Sequence, residues 1–165
     1  MEMIYCQRDI PKDQWRYGFR SSAATGCGWI ACYNALKLIG YETKPEELIR
    51  YFEHQLPLIH GNCGTSILGP AVLLKQMGFR VKVCAKRLEL DAEAKKADVN
   101  ILFYRWRNGL KFGAHFVTVQ YQSGKFIGYN TFRNSKGPDD YGESLQWFML
   151  RKGYFNPVLI SIWKK

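Results

Sequence analysis

Gly26-Cys27-Gly28 sets a cysteine between two glycines at the head of an apolar run that continues to Ile39. In that run Trp29, Cys32, Tyr33, Leu36 and Ile39 recur at three- and four-residue steps, and Lys37 is its only charge. The spacing predicts a helix buried on most sides, beginning at Cys27 or Gly28. A thiol in that first turn faces unpaired backbone N–H groups and the positive end of the helix dipole, which favours thiolate. The flanking glycines permit an unusual backbone and close approach of a substrate. Free cysteines otherwise pack as small hydrophobes, so a nucleophilic reading of Cys27 depends on partners.

The first partner is a base, for which histidine is the usual choice. His54 falls at a predicted helix end and His60 in a loop, both simple surface positions. His115 instead follows Gly113-Ala114 and enters the apolar strand HFVTVQY. A buried imidazole has to find a hydrogen-bond partner, which backbone alone often supplies. The hairpin HFVTVQY-QSGK-FIGYN offers another. With a two-residue turn at Ser123 and Gly124, Tyr121 pairs with Phe126, Val119 with Gly128 and Val117 with Asn130. Asn130 then shares a face with His115 as its diagonal neighbour, about 7–8 Å away and within side-chain reach. An amide oxygen there would fix the imidazole tautomer, as in a Cys-His-Asn arrangement. A slip of one residue would present Tyr129 or Thr131 instead.

The remaining part is an oxyanion donor, which a thiol hydrolase takes from the nucleophile's own N–H and an upstream side-chain amide. Gln7 and Gln14 are the candidates. Gln7 is preferred because it ends the strand-like run Met3–Cys6, and rigid elements hold catalytic groups better than loops. Asn62-Cys63-Gly64 partly mimics the first cysteine site. It has no upstream amide at a strand end, so Cys63 is the weaker nucleophile candidate.

The elements that must position these residues follow from local pattern. Residues 8–25 form a polar loop carrying Trp15, Tyr17 and Phe19, read as a segment that packs over the domain. Gly40 stops the central helix, and Thr43 with Glu46 and Pro45 predicts a capped helix to about His54. Thr65 or Ser66 would cap a helix running to Met77 and Gly78. Strands are expected over 79–85, 100–106 and 158–163, an exposed charged helix over 90–97, and a helix from Ser144 through Arg151. Helices gather in the first half and strands in the second. With connections too short for parallel crossovers, this predicts an α+β fold with a mainly antiparallel sheet.

Composition sets the outer bounds. The 165 residues suit one domain, 1–165, with a real core. Apolar residues at 47% and aromatics at 15% exclude a disordered chain. No run has the length of a membrane span, and MEMIYCQRD is no signal peptide, so the expectation is a cytoplasmic protein or one whose leader has been removed. Five widely spaced cysteines argue against a disulfide framework, and without CxxC or zinc-spaced histidines no metal site is expected. No cofactor is implied. The net charge of +10 suits an acidic partner. The basic residues are scattered along the chain, so the charge reads chiefly as solvated surface and nucleic-acid binding as the lesser alternative. The sequence leaves oligomeric state open.

Taken in order, Gln7, the aromatic loop with Trp15, the GCG block with its helix, GAHFVTV and FIGYN resemble the papain-like C39 peptidases. The likeness is nearest to their stand-alone C39-like branch. It implies a papain-like fold in which the central helix of the N-terminal half packs on the sheet of the C-terminal half. It also implies a cysteine peptidase with Cys27 as nucleophile, His115 as base, Asn130 as orienting group and Gln7 at the oxyanion, acting on a peptide or protein. The family often has Asp-Pro where this chain has Asn130-Thr131, although Asn also occurs in papain-like triads. Two alternatives stand beside this: an acyl or amide transferase on the same fold, and a non-catalytic basic module binding nucleic acid or a protein.

Overall fold

The computed structural model describes residues 2–54 and 65–164. His60 and Cys63 lie outside the described residues, so the second cysteine site is not placed. Cys6 leads into a 3-10 turn at Gln7–Asp9, and two short strands, β1 (Arg16–Tyr17) and β2 (Arg20–Ser21), form a small hairpin. The first helices are α1 (Ser22–Thr25), α2 (Cys27–Leu38), α3 (Pro45–His54) and α4 (Gly69–Gln76). Then come β3 (Arg80–Cys84), α5 (Leu90–Ala94), β4 (Val99–Asn108), β5 (Lys111–Gln122), β6 (Lys125–Tyr129) and β7 (Asp139–Gly142). Helix α6 (Leu145–Lys152) and β8 (Phe155–Trp163) complete the described chain.

Six strands make one antiparallel sheet in the order β3-β8-β4-β5-β6-β7, with the last strand inserted between β3 and β4. Both faces are covered, which is why β4 reads as an unbroken apolar run instead of alternating. On one face Ile101, Phe103, Phe116 and Ile160 meet α2, α3 and α4. On the other, Leu102, Tyr104, Val117 and Val119 meet Leu90 and Ala94 of α5 and Phe148 and Met149 of α6. The charged segment at residues 90–97 is therefore shorter than expected and half-sunk. It spends Leu90 and Ala94 on the sheet, and Glu93 is buried with them, paired with Lys82 at 2.6 Å and Lys96 at 2.9 Å.

Helix α2 is buried on nearly every side, from Trp29 through Leu36. Its polar residue Asn34 is fully buried and satisfied by backbone, with Ile4 N–H donating to Oδ1 at 3.0 Å and Nδ2 donating to Ile4 O at 2.8 Å. That pairing explains a correction. The run Met3–Cys6 looks like a strand but forms none, because its backbone is held by a helix side chain and not by a sheet neighbour. The aromatic loop packs down through two of its three aromatics: Tyr17 is fully buried and Trp15 meets Trp29 edge-on at 5.8 Å, whereas Phe19 stays exposed.

Other local expectations shift. Glu46 does not close a capping box; its carboxylate accepts from Trp15 Nε1 at 2.8 Å. Helix α4 starts with Leu68 at its N-cap, not Thr65 or Ser66, because Thr65 is drawn to the Tyr17 hydroxyl at 3.2 Å. Ser144 caps α6 as expected, its Oγ accepting from Trp147 N–H. Strand β7 was not anticipated.

Candidate active site

The predicted hairpin register is observed as far as Thr118 and Tyr129, and the expected Val117–Asn130 pair does not form. Tyr121 pairs with Phe126 and Val119 with Gly128, around Ser123 (φ 50°) and Gly124 (φ 83°). Two consecutive left-handed residues define a type I′ turn, whose twist matches that of the strands. Strand β6 stops at Tyr129, and Asn130 turns out of the sheet at φ 62°, a conformation asparagine tolerates better than most residues.

That turn decides what Asn130 touches. Its backbone carbonyl, not its amide oxygen, accepts from His115 Nε2 at 2.7 Å. The side chain instead faces Gln7: Oδ1 accepts from the Gln7 backbone N–H at 2.8 Å, and Nδ2 donates to Gln7 Oε1 at 3.3 Å. The expected contact between the Asn130 side chain and the imidazole is thus replaced by a backbone one. Alternation of faces holds only inside a strand, and Asn130 has already left it.

The carbonyl contact fixes a proton. A carbonyl only accepts, so neutral His115 carries its hydrogen on Nε2 and keeps its lone pair on Nδ1. The ring also meets Tyr104 edge-on at 6.0 Å, across the β4–β5 pair. Burial pushes the imidazole below its ordinary range, and the Asn130 carbonyl partly restores it.

Gln7 joins this chain from the N-terminal side. It sits on the 3-10 turn and not at a strand end, yet it is pinned at three points. Besides its two contacts with Asn130, its Nε2 donates to Ala23 O at 3.1 Å, four residues before Cys27. An amide NH2 has two hydrogens, and Ala23 takes one. Gln14 is exposed, so the structure gathers Gln7 and leaves Gln14 outside.

Cys27 opens α2 as predicted. Cys6, Cys32 and Cys84 are buried, so Cys27 is the one partly exposed thiol among the described cysteines. Its surroundings reverse the expected bias. Burial of the sulfur pushes the thiol up, while the backbone N–H groups of Phe116, Gly28 and Cys27 itself pull it back. The helix start supplies donors, but desolvation outweighs them. Among the described residues no hydrogen bond joins Cys27 Sγ to His115; Cys27 meets β5 at Phe116, the next residue along. Both shifts favour the uncharged forms, a thiol and a neutral imidazole.

The glycines act through space, not through unusual dihedrals. Gly26 has φ −78° and Gly28 is helical. A Cβ at Gly28 would collide with the Thr65 side chain, which packs against the first turn of α2. Sequence patterns had no signal for the Ala23 carbonyl or the Phe116 N–H, since both are backbone groups. Tyr104 could have been found by pairing β4 with β5 around Gly109.

Among the described residues no cluster of histidine, cysteine or carboxylate has the makings of a metal site, and no helix is long and apolar enough to cross a membrane.

No family model and no curated protein matches the sequence. Solved structures do match. One is the crystal structure of the peptidase domain of Streptococcus ComA, a bi-functional ABC transporter involved in a quorum-sensing pathway. It aligns with a TM-score of 0.54 and 13% identity, covering 84% of this chain and 92% of that domain. With its helical half laid on a mainly antiparallel sheet, the chain has an α+β, papain-like fold.

Proposed function

We propose that this chain is a papain-like thiol hydrolase that cleaves amide bonds of a peptide or protein. One observation carries the reading. His115, Asn130 and Gln7 form a continuous hydrogen-bonded chain that ends at Ala23, just before the helix whose first residue is Cys27, the one partly exposed thiol described.

In this mechanism Cys27 Sγ attacks the substrate carbonyl carbon as its proton passes to His115 Nδ1. Because the thiol is pushed up and the imidazole down, transfer accompanies attack and does not precede it as a resting ion pair. The carbonyl oxygen becomes an oxyanion held by the Cys27 backbone N–H and the second Nε2 hydrogen of Gln7. Collapse breaks the C–N bond, and Nδ1–H protonates the leaving amine. Water, deprotonated by His115, then hydrolyses the thioester. Asn130 serves twice: its carbonyl fixes the imidazole tautomer, and its side chain positions Gln7.

The test is a mass-spectrometric scan for new N termini in a mixed peptide library. The wild-type chain produces them, and Cys27→Ala and His115→Ala do not. Equal fragments from wild type and Cys27→Ala would remove the reading. Release of acyl-transferred products in place of new termini would favour a transferase on the same fold.

The shifted pair supports one other reading, a non-catalytic module of this fold. A half-buried thiol biased to stay protonated near an imidazole biased to stay neutral suits packing as well as chemistry. It predicts no Cys27-dependent product from any peptide.

A further inference from the structure

Residues 99–138 contain no acidic side chain, but they do contain Arg105, Arg107, Lys111, Lys125, Arg133 and Lys136. Three of these, Arg105, Arg107 and Lys111, lie on the single β4–β5 hairpin. Strand β5 runs from Lys111 up to the turn at Ser123–Gly124, and β6 returns only as far as Thr118's partner Tyr129. The loop carrying Arg133 and Lys136 therefore leaves the sheet toward the end where the β4–β5 hairpin has its tip. Phe155 enters β8 opposite Arg105 at the same end.

The hairpin tip itself is an exposed finger. Residues 107–112 are all exposed, with Leu110 at 92% and Phe112 at 68%. Arg107 pairs with Phe112 and Arg105 with Ala114, so the two guanidinium groups and Phe112 share one face. On the other face Trp106 lies flat over Gly113, where any Cβ would collide with the ring. Arg107 is tied to the turn, its Nε donating to Gly109 O at 3.1 Å and its guanidinium lying 5.1 Å from the centre of the Phe112 ring. The tip leaves Leu110 and Phe112 largely in water, with Arg105 and Arg107 on the Phe112 face and Lys111 on the other. Its two kinds of side chain suit the same partner: apolar groups that enter an acyl boundary and cations that stay with anionic headgroups.

We infer that the β4–β5 hairpin tip, Leu110 and Phe112 flanked by Arg105, Arg107 and Lys111, docks onto an anionic lipid surface. Nucleic acid would use the cations but gain little from Leu110, which has no ring to stack. This docking does not depend on whether Cys27 is catalytic.

The test is co-sedimentation of the whole chain with vesicles of equimolar phosphatidylcholine and phosphatidylserine, against phosphatidylcholine alone. Binding to the mixed vesicles only, weakened by added salt, is expected. Arg105→Gln with Arg107→Gln lowers the binding constant about fivefold per cation removed. Leu110→Ser with Phe112→Ser lowers it further at unchanged net charge. Lys44→Gln with Lys75→Gln, which removes the same charge from exposed sites on the helical side, leaves it nearly unchanged. All these positions are exposed, so matching melting curves verify the fold. Equal losses from the two charge pairs would overturn the inference in favour of diffuse attraction. Unaffected binding in the Leu110 and Phe112 variant, no vesicle binding, or preference for a single-stranded oligonucleotide would each overturn it as well.

Discussion

Replacing Asn130 separates the work of its backbone from that of its side chain. Asn130→Gly keeps the left-handed turn and the carbonyl that His115 Nε2 donates to, and it removes both contacts to Gln7. Asn130 is almost wholly buried at 2% exposure, so the Gln7 N–H and Oε1 lose partners in a largely dry place. A stranded buried polar group costs about 1–3 kcal/mol, and that is the expected loss of stability for the glycine variant. Asn130→Ala strands the same groups and adds a Cβ at φ 62°, which makes it worse than glycine by roughly 1 kcal/mol. Asn130→Asp keeps the acceptor for the Gln7 N–H but sets a carboxylate oxygen against Gln7 Oε1. Flipping the Gln7 amide to relieve this puts its oxygen on the Ala23 carbonyl instead. Urea unfolding ranks the three variants, and nitrogen chemical shifts of the imidazole report its tautomer. In Asn130→Gly the Nε2–H tautomer persists while turnover falls through a loosened Gln7. If alanine is no worse than glycine, the backbone argument is wrong. If the tautomer is lost in Asn130→Gly, the side chain and not the carbonyl orients His115.

Three further outcomes follow from the geometry. Gly28→Ala drives a methyl into Thr65 and destabilises the chain by about 1–3 kcal/mol in urea unfolding, with Thr65→Gly in the same chain restoring part of it. His115 has its folded-state pKa lowered, so the unfolded chain binds the extra proton first. Its contribution is therefore complete above the ordinary imidazole range near 6.5 and is lost progressively as pH falls from there through the lowered folded-state value, so the acid limb of a pH–stability curve becomes shallower in His115→Gln. Ser144→Ala removes the acceptor for Trp147 N–H and the donor to Asp91 Oδ2 at 2.5 Å, lowering stability by about 1 kcal/mol by thermal melting.

Much of the scaffold was legible because its signals are local. The α2 pattern, the stop at Gly40, the I′ turn at Ser123–Gly124 and the Ser144 cap are each written within a few residues and appear as read. What failed depended on contacts distant in sequence. Met3–Cys6 carries strand-like residues, but Asn34 of α2 takes its backbone. Glu46 has capping-box spacing, but Trp15 takes its carboxylate. Thr65 has N-cap chemistry, but Tyr17 and the bare backbone of Gly28 draw it inward. In the site, sequence reasoning named residues and face-sharing up to the last strand position. It had no means of foreseeing that Asn130 would turn left-handed and offer its carbonyl to His115. Nor does a helix start by itself decide a thiol's protonation, because the burial that opposes the dipole comes from tertiary packing around the sulfur, not from the local sequence.

The most direct test of the central claim is iodoacetamide alkylation of the folded chain across pH, read cysteine by cysteine, in wild type and His115→Ala. The account predicts that Cys27 reacts well ahead of buried Cys6, Cys32 and Cys84. Its rate should climb with pH instead of persisting far below the ordinary thiol range near 8.5, and it should fall in His115→Ala. A Cys27 no faster than Cys32, with a rate indifferent to His115, would contradict a nucleophile served by that imidazole.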